Sequence, residues 1–455
     1  MSARGRLALA AALAVGAGAL YLYRVDRPFG NSDEAIYAQT AREMAQDGDL
    51  LTLHWQGRPV LSRPPLSVWP LAAAVRLWGP RDLALRAVVA LEAAAGVALL
   101  FLLGARRGGT AVGLIAALLL ATSDRYYVYA RYIESEPLLC ALVIAAFLCW
   151  QRGSMVGWGL CLGAALLTKQ IVGALPLLAP FLDPNRVPWR ALARGLAAAA
   201  ALIVPYAIVQ CVRYGVVFPR VLLGANVMAR SMAPMHQSSG PAFYFQMLWR
   251  REGPLVLVAA LGLGFSLAKR DFLPAAWTLA TLLPFSIAAS RYDYYALLFY
   301  PALALAAARL LCALVRGYLA LPVVALWAAL HLLPHWPGPP PPEDPETGLL
   351  AQKMAQLSRP DDPLVMIDQL PYSARYYSQR RTVQVVLDAA EYRETSLLLP
   401  AEVVLAPDPV PYLQKLARWF AIVPHVDGGK LRGLGPVFVV GATPTYRLIT
   451  NLSAR

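Results

Sequence analysis

Two adjacent carboxylates, Asp33 and Glu34, open a polar stretch directly after the first apolar segment of the chain. Acids placed there can act as a general base and its partner, or they can complement the dipole of a helix capped by Asn31. Groups of the same kind recur downstream: Arg63 ahead of Pro64-Pro65, then Arg131, Glu134 and Glu136, Lys169 within an apolar run, His236, and Arg291 with Asp293. Carboxylates move or position protons, and arginine and lysine hold anions, so the set predicts acid–base chemistry beside an anion site. Lys169 carries the clearest signal, because a lysine inside an apolar hairpin is costly unless it has a partner. Arg63 has the plainer alternative of snorkelling to lipid headgroups, and His236 that of a solvated loop residue. Glu134 and Glu136 are two apart beside a helix start, so they point to different faces and differ in role. A divalent ion held by His236 with Glu34 or Glu136 is chemically reasonable, although no ligand spacing requires one.

The elements that must position these groups follow from composition. The chain has 455 residues, 58% of them hydrophobic and 15% charged, with a mean hydropathy of +0.50. A soluble chain carries about a quarter charged residues. Runs without charge at 7–23, 196–212, 272–289 and 294–308 predict a polytopic α-helical membrane protein of about 11 to 13 spans. The net charge of +14 would suggest nucleic acid in a soluble domain. Here the basic residues fall in short loops (Arg106-Arg107, Arg152, Arg186, Arg190, Arg194, Lys269-Arg270 and Arg316), the positive-inside pattern of cytoplasmic loops, and nucleic acid is not implied. The N-terminus is then cytoplasmic and the first apolar run an uncleaved span of the inner cell membrane.

On that parity residues 1–334 form a transmembrane catalytic domain with outer loops at 24–83, 123–136 and 213–253. The polar set gathers on this outer side. The helix after Asn31 is expected to lie along the bilayer with one face buried, through Tyr37, Ala41 and Met44. Residues 156–182 are expected as two short helices meeting at Lys169 on the outer side, because Arg152 and Arg186 must both be inside. The five cysteines lie in or beside apolar segments without paired spacing and read as small buried hydrophobes. A Pro-rich linker spans 335–345, and 346–455 reads as an extracytoplasmic α/β domain, periplasmic or extracellular. Its strands are expected at 364–368, 383–386, 403–405 and 437–440, with helices at 372–378, 391–399 and 412–420, in a sheet of the parallel kind. No Gly-rich phosphate loop opens any of these helices.

The run Asp33-Glu34-Ala35-Ile36-Tyr37-Ala38, then Ala41-Arg42-Glu43-Met44, Gly48-Asp49 and Arg63-Pro64-Pro65-Leu66, closely resembles the first outer loop of the GT-C membrane glycosyltransferases. The nearest branch holds protein O-mannosyltransferases and the aminoarabinose transferases that modify lipid A. The likeness continues through Glu136-Pro137, Thr168-Lys169, His236 with Pro241-Ala242-Phe243-Tyr244, and the outer α/β domain. The family usually has Glu-Lys where this chain has Ser62-Arg63, and Asp-Pro where it has Glu136-Pro137. The resemblance implies transfer of a sugar, with inversion, from a polyprenyl-phosphate donor to a lipid, glycan or protein acceptor on the outer face. It implies Asp33 as the catalytic carboxylate, Glu136 as the second-loop acid, and Arg63 and Lys169 near the carrier phosphate, with Arg131 a further basic candidate. Glu34, Glu134, His236, Arg291 and Asp293 are left as substrate or metal contacts. The competing class is a transporter or flippase of a lipid-linked saccharide, which predicts inverted repeats; none is visible in the sequence.

Overall fold

The computed structural model describes all residues except 26–28, 30–31, 183–186, 223, 225–239, 316, 334–344, 368–371, 388–401, 426–430 and 453–455. In chain order it opens with α1 (Ala3–Leu22), α2 (Ser32–Asp47), a hairpin of β1 (Leu53–Trp55) and β2 (Arg58–Val60), α3 (Trp69–Trp78) and α4 (Asp82–Gly108). Next come α5 (Thr110–Thr122), α6 (Asp124–Tyr129), α7 (Glu136–Gln151) and α8 (Met155–Lys169). Helices Trp189–Tyr214, Phe243–Glu252, Leu255–Ala268, Leu273–Ile287, Tyr300–Leu314 and Leu321–Leu332 lead to Pro345–Leu357. Six strands close the chain: β3 (Leu364–Ile367), β4 (Thr382–Val386), β5 (Glu402–Leu405), β6 (Phe420–Pro424), β7 (Phe438–Ala442) and β8 (Tyr446–Thr450). Contacts divide it into two units, one of Met1–Val25, Leu61–Pro70 and Arg86–Pro339, the other of Asp26–Val60, Leu71–Leu85 and Pro340–Arg455.

The first unit is helical and apolar. Among the described residues four segments are by length and composition apolar enough to cross a bilayer: Ala3–Leu22, Asp82–Gly108, Met155–Leu182, which turns back after Lys169, and Trp189–Tyr214. Two further pairs qualify together but are bent by 115° and 114°, while α5, α7 and Leu273–Ile287 are apolar and shorter. The chain is a multi-pass membrane protein, as expected, with apolar segments of three kinds: long helices, short helices and bent pairs. Small residues let backbones approach closely where lipid supplies no hydrophobic drive between helices. A Cβ on Gly159 of α8 would lie 1.8 Å from the Gly195 carbonyl oxygen, so α8 and Trp189–Tyr214 touch backbone to backbone.

After Lys169 the chain reverses. Gln170 takes φ +48°, and residues Gln170–Leu178 return along α8 as a 3-10 helix. Gly173 lies against the Ala165 carbonyl, where a Cβ would approach to 2.2 Å, and the Trp158 indole donates to the Pro176 carbonyl at 3.2 Å. The two expected arms therefore do meet at Lys169. The returning arm is 3-10 rather than α-helical, and it contains Pro176, whose missing N–H and ring disfavour an α-helix interior. Cys149 and Cys161, unpaired in sequence spacing, share a hydrogen bond, and all five cysteines are free.

The second unit centres on a six-stranded sheet in the order β5-β4-β3-β6-β8-β7. The first four strands are parallel, but β8 pairs antiparallel with both β6 and β7. The sheet is thus mixed, not purely parallel, because β7 and β8 form a direct antiparallel pair whose second strand lies against β6. The expected helix at 412–420 shrinks to Val410–Gln414, and Phe420 opens the buried strand β6. The run Phe420–Val423 buries alternate residues in the apolar clusters on the two sides of the sheet, a period of two and not of 3.6. The expected helix at 391–399, residues 335–344 of the linker and Asn31 lie outside the described residues.

Of the segment expected as the first outer loop, residues 26–60 and 71–83 belong to this second unit, and 61–70 to the first. Arg42 of α2 donates to the Tyr376 carbonyl at 2.7 Å with its guanidinium 3.9 Å from that ring, and the Gln56 amide donates to the Thr382 carbonyl at 3.1 Å. Glu43 accepts the Gln56 and Gly57 N–H groups at 2.9 and 3.0 Å. Both residues of that two-residue turn have positive φ, as a type I′ hairpin requires. From Glu34 to Met44 every side chain is buried. The expectation of a one-faced bilayer helix is therefore corrected: α2 is an internal element, buried all round.

Candidate functional site

In the first unit, the geometry is built around the Lys169 turn. The Leu66 N–H donates to the Leu167 carbonyl at 3.1 Å, and the Gln170 side-chain amide donates to the Ser62 carbonyl. These two bonds tie the segment Ser62-Arg63-Pro64-Pro65 to the turn, so Arg63 and Lys169, 106 positions apart in sequence, sit on neighbouring stretches of backbone. Gln170 is a non-glycine residue at positive φ, a conformation costing about 1–3 kcal/mol, and its side chain makes the bond to Ser62.

The Lys169 ammonium forms an ion pair with Glu136, which is fully buried at the start of α7. Ser135 donates to the same carboxylate at 3.2 Å. The ammonium also lies 4.9 Å from the Tyr294 ring centre and 5.3 Å from that of Tyr295, a distance at which the ring quadrupole attracts a cation. Phe285 stacks on Tyr295 with centroids 4.8 Å apart.

A cavity of about 550 Å³ opens beneath this group. Its walls are the returning 3-10 arm and the Leu273–Ile287 helix, with Leu175, Leu178 and Phe285 among the apolar lining residues and Lys169, Gln170 and Ser290 among the polar ones. The volume lies within the range of small-molecule sites, about 300–1,000 Å³. An apolar trough with a cation among its lining suits an amphiphile that has an anionic head.

The other expected residues fall into several settings. Arg131 is 1% exposed and donates to the carbonyls of Leu20 at 3.4 Å and Tyr23 at 2.7 Å, closing the C-terminal end of α1, with its guanidinium 4.8 Å from the Tyr127 ring. Cations favour that end of a helix dipole. Asp293 accepts from Arg125 at 2.8 Å and from the Tyr129 hydroxyl at 2.6 Å. Arg291 donates to the Ser286 carbonyl at 3.0 Å, and Glu134 is buried. In the second unit Asp33 and Glu34 stand in the first turn of α2, Asp33 half-buried and Glu34 fully buried. His236 lies outside the described residues. Among the described residues no three His, Cys, Asp or Glu side chains gather as a metal site.

Sequence reading missed Arg125 and Tyr129, which lie in the expected outer loop 123–136 and share a partner, Asp293, far along the chain. The Arg125–Asp293 bond spans 168 positions, beyond any local pattern. The only available signal was an arginine beside Asp124 directly after an apolar run.

Comparison with known proteins bears on the family and the fold. Residues 62–210 match the family described as dolichyl-phosphate-mannose-protein mannosyltransferase. A stretch of 119 residues is 28% identical to an uncharacterised protein of Aquifex aeolicus (strain VF5), covering 26% of this chain and 24% of that one, so the match spans about a quarter of that relative. The fold is similar to the crystal structure of ArnT from Cupriavidus metallidurans bound to undecaprenyl phosphate, with a TM-score of 0.78, 20% identity, and coverage of 100% of this chain and 99% of that one. The apo form of the same protein gives a TM-score of 0.76 at 21% identity, with 99% of each chain covered. The apo oligosaccharyltransferase of Archaeoglobus fulgidus gives a TM-score of 0.51 at 11% identity, covering 82% of this chain and 64% of that one. The overlay extends through the helical unit and the C-terminal sheet, the architecture that the sequence led one to expect.

Proposed function

From its multi-pass architecture and its GT-C fold, we propose that the chain is a glycosyltransferase. It takes a sugar from a polyprenyl-phosphate carrier and passes it, with inversion, to a lipid, glycan or protein acceptor at the outer face of the inner cell membrane. The observation that carries this reading is the mostly apolar cavity that has Lys169 among its few polar lining residues. A polyprenyl chain lies against Leu175, Leu178 and Phe285, and its phosphate reaches Lys169, with Arg63 on the adjoining stretch as a second cation. Glu136 and the Tyr294 and Tyr295 rings hold the ammonium in place before the carrier arrives.

The acceptor oxygen bonds to the anomeric carbon on the face opposite the carrier. The bond from that carbon to the carrier phosphate oxygen breaks, and its electron pair leaves with the phosphate. The polyprenyl phosphate so released gains a negative charge where water is scarce, and fixed cations stabilise it there far better than in water. A hydroxyl acceptor must also lose a proton to a base, for which the resemblance of the first-loop motif makes Asp33 the candidate; such general-base help is worth about 10² to 10⁴ in rate. The ArnT relative was crystallised with undecaprenyl phosphate, a carrier of the class this cavity suits. The rival reading as a transporter or flippase is not favoured for a chain whose whole length follows a transferase fold.

Binding of undecaprenyl phosphate to the protein in lipid nanodiscs tests the carrier half. Lys169→Gln weakens it about tenfold, the loss of one charge-assisted contact. Ala280→Trp, which fills the cavity from the Leu273–Ile287 side, weakens it without touching a charge. Wild-type affinity in either variant overturns the reading. Lipid mass spectrometry of cells with and without the gene then names sugar and acceptor from the sugar-sized mass that disappears.

A further inference from the structure

We propose that Arg125 and Tyr129 are positioning residues that act on Lys169 through Asp293. The inference rests on the reading of Lys169 as a carrier-phosphate group and deepens it. Residues Asp293–Leu298 form a short 3-10 helix whose second and third residues, Tyr294 and Tyr295, present their rings to the Lys169 ammonium. The far end of this helix is tied to the helical packing. Cys140 of α7 contacts the Leu297 carbonyl at 3.2 Å, and the Trp277 indole donates to the Leu298 carbonyl at 2.7 Å.

Its near end is held differently. One carboxylate oxygen of Asp293 accepts from Arg125 at 2.8 Å and the other from the Tyr129 hydroxyl at 2.6 Å. The Tyr129 ring also meets Tyr294 edge to face, with centroids 6.2 Å apart at 75°. Arg125 is itself fixed, its Nε donating to Asp124 at 2.6 Å, and the Asp124 N–H donates to buried Glu252 at 2.9 Å. Arg125 is 10% exposed and Asp124 8%. A chain of charge-assisted bonds thus runs from Glu252 through α6 to the first residue of the turn that covers Lys169. Both oxygens of Asp293 already accept a bond, so in this arrangement its carboxylate serves the turn.

The test is a double-mutant cycle read as affinity for undecaprenyl phosphate in nanodiscs. Arg125→Gln weakens binding about tenfold, Arg125→Lys stays within about threefold by keeping a cation on Asp293, and Tyr129→Phe, which removes one hydroxyl without changing volume, loses about threefold. Arg125→Gln combined with Lys169→Gln binds no more weakly than Lys169→Gln alone, because the first acts through the second. A purely structural role for Arg125 gives losses that multiply in the double variant, and that result overturns the proposal. So does wild-type affinity in Tyr129→Phe, the variant that decides if Arg125→Gln fails to fold. Should Lys169→Gln itself bind as wild type, both this inference and the carrier reading fall. If it weakens while Arg125→Gln and Tyr129→Phe do not, this inference falls alone.

Discussion

Lys169 and Glu136, 33 positions apart, meet as an ion pair at the turn between α8 and the returning 3-10 arm, with the carboxylate fully buried and the ammonium side chain 21% exposed. Removing one partner of such a pair leaves the other uncompensated, at a cost of about 3–5 kcal/mol. Glu136→Gln is expected at the lower end of that range, because water reaches the lysine. Thermal unfolding in detergent shows this as a lowered midpoint, and Glu136→Leu with Lys169→Met recovers most of it. An unchanged midpoint in Glu136→Gln would mean that the pair contributes nothing to the fold.

Asp33 stands in the first turn of α2, and its two candidate roles separate by experiment. Asp33→Asn keeps the shape and removes the base. Turnover with a hydroxyl acceptor is expected to drop by about 10² to 10⁴, with carrier affinity unchanged. Full turnover in this variant would leave Asp33 only its contribution to the helix dipole.

Gly173 and Gly159 are places where a side chain has no room, with Cβ approaches of 2.2 and 1.8 Å to backbone oxygens of Ala165 and Gly195. Overpacking of this kind costs about 1–3 kcal/mol. Gly173→Val is expected to force the returning arm off α8 and to weaken carrier binding with it. Gly159→Val, on the opposite packing face, is expected to lower stability with a smaller effect on the carrier. Equal effects of both on binding would argue against the arm as a cavity wall.

In the second unit Arg418 donates to both oxygens of Asp362 at 2.8 and 3.0 Å, and the Arg359 N–H adds a third bond at 2.8 Å. The Arg418 bonds, and then the Arg359 amide, hold the Asp362 carboxyl below the usual range. A depressed carboxylate stabilises the folded state fully above its unfolded pKa of about 3.9 and loses that contribution as the pH falls through the lower folded value. With Arg418 partly exposed to solvent, the contribution is modest at neutral pH. Hydrogen exchange of β3 and β6 amides should show Asp362→Asn less protected at pH 7. That difference should close as the solution is acidified below about pH 4, and a gap independent of pH would exclude the ion pair as its source.

The membrane class, the helical returns and the need of Lys169 for a partner were legible in the sequence, for a common reason. Each depends on contrast within a local window: charge-free runs against basic loops, and one lysine against an apolar hairpin. The strands β3, β4, β5 and β7 were legible as short apolar runs between breaks, whereas β6 was hidden by an adjoining helical segment and β8 by its mixed polarity. Other features had no local signature. Glu136 with Lys169, Asp293 with Arg125 and Tyr129, and Arg131 on the end of α1 are contacts across 33 to 168 positions. The residence of α2 in the second unit was equally hidden, because a helix buried on all sides by distant segments shows the same first-turn acids as one lying on a bilayer.

The sequence by itself therefore determined that this chain crosses a membrane repeatedly, ends in an α/β domain and carries an isolated lysine that demands a partner. Hydropathy, charge placement and desolvation cost act through nearest neighbours, and the order of residues states them directly. Only the tertiary structure decided what the partner is, what covers it and where the apolar trough lies. Those depend on which distant backbones come within a few ångströms, and here glycines at helix contacts and a strained reversal after Lys169 set that approach.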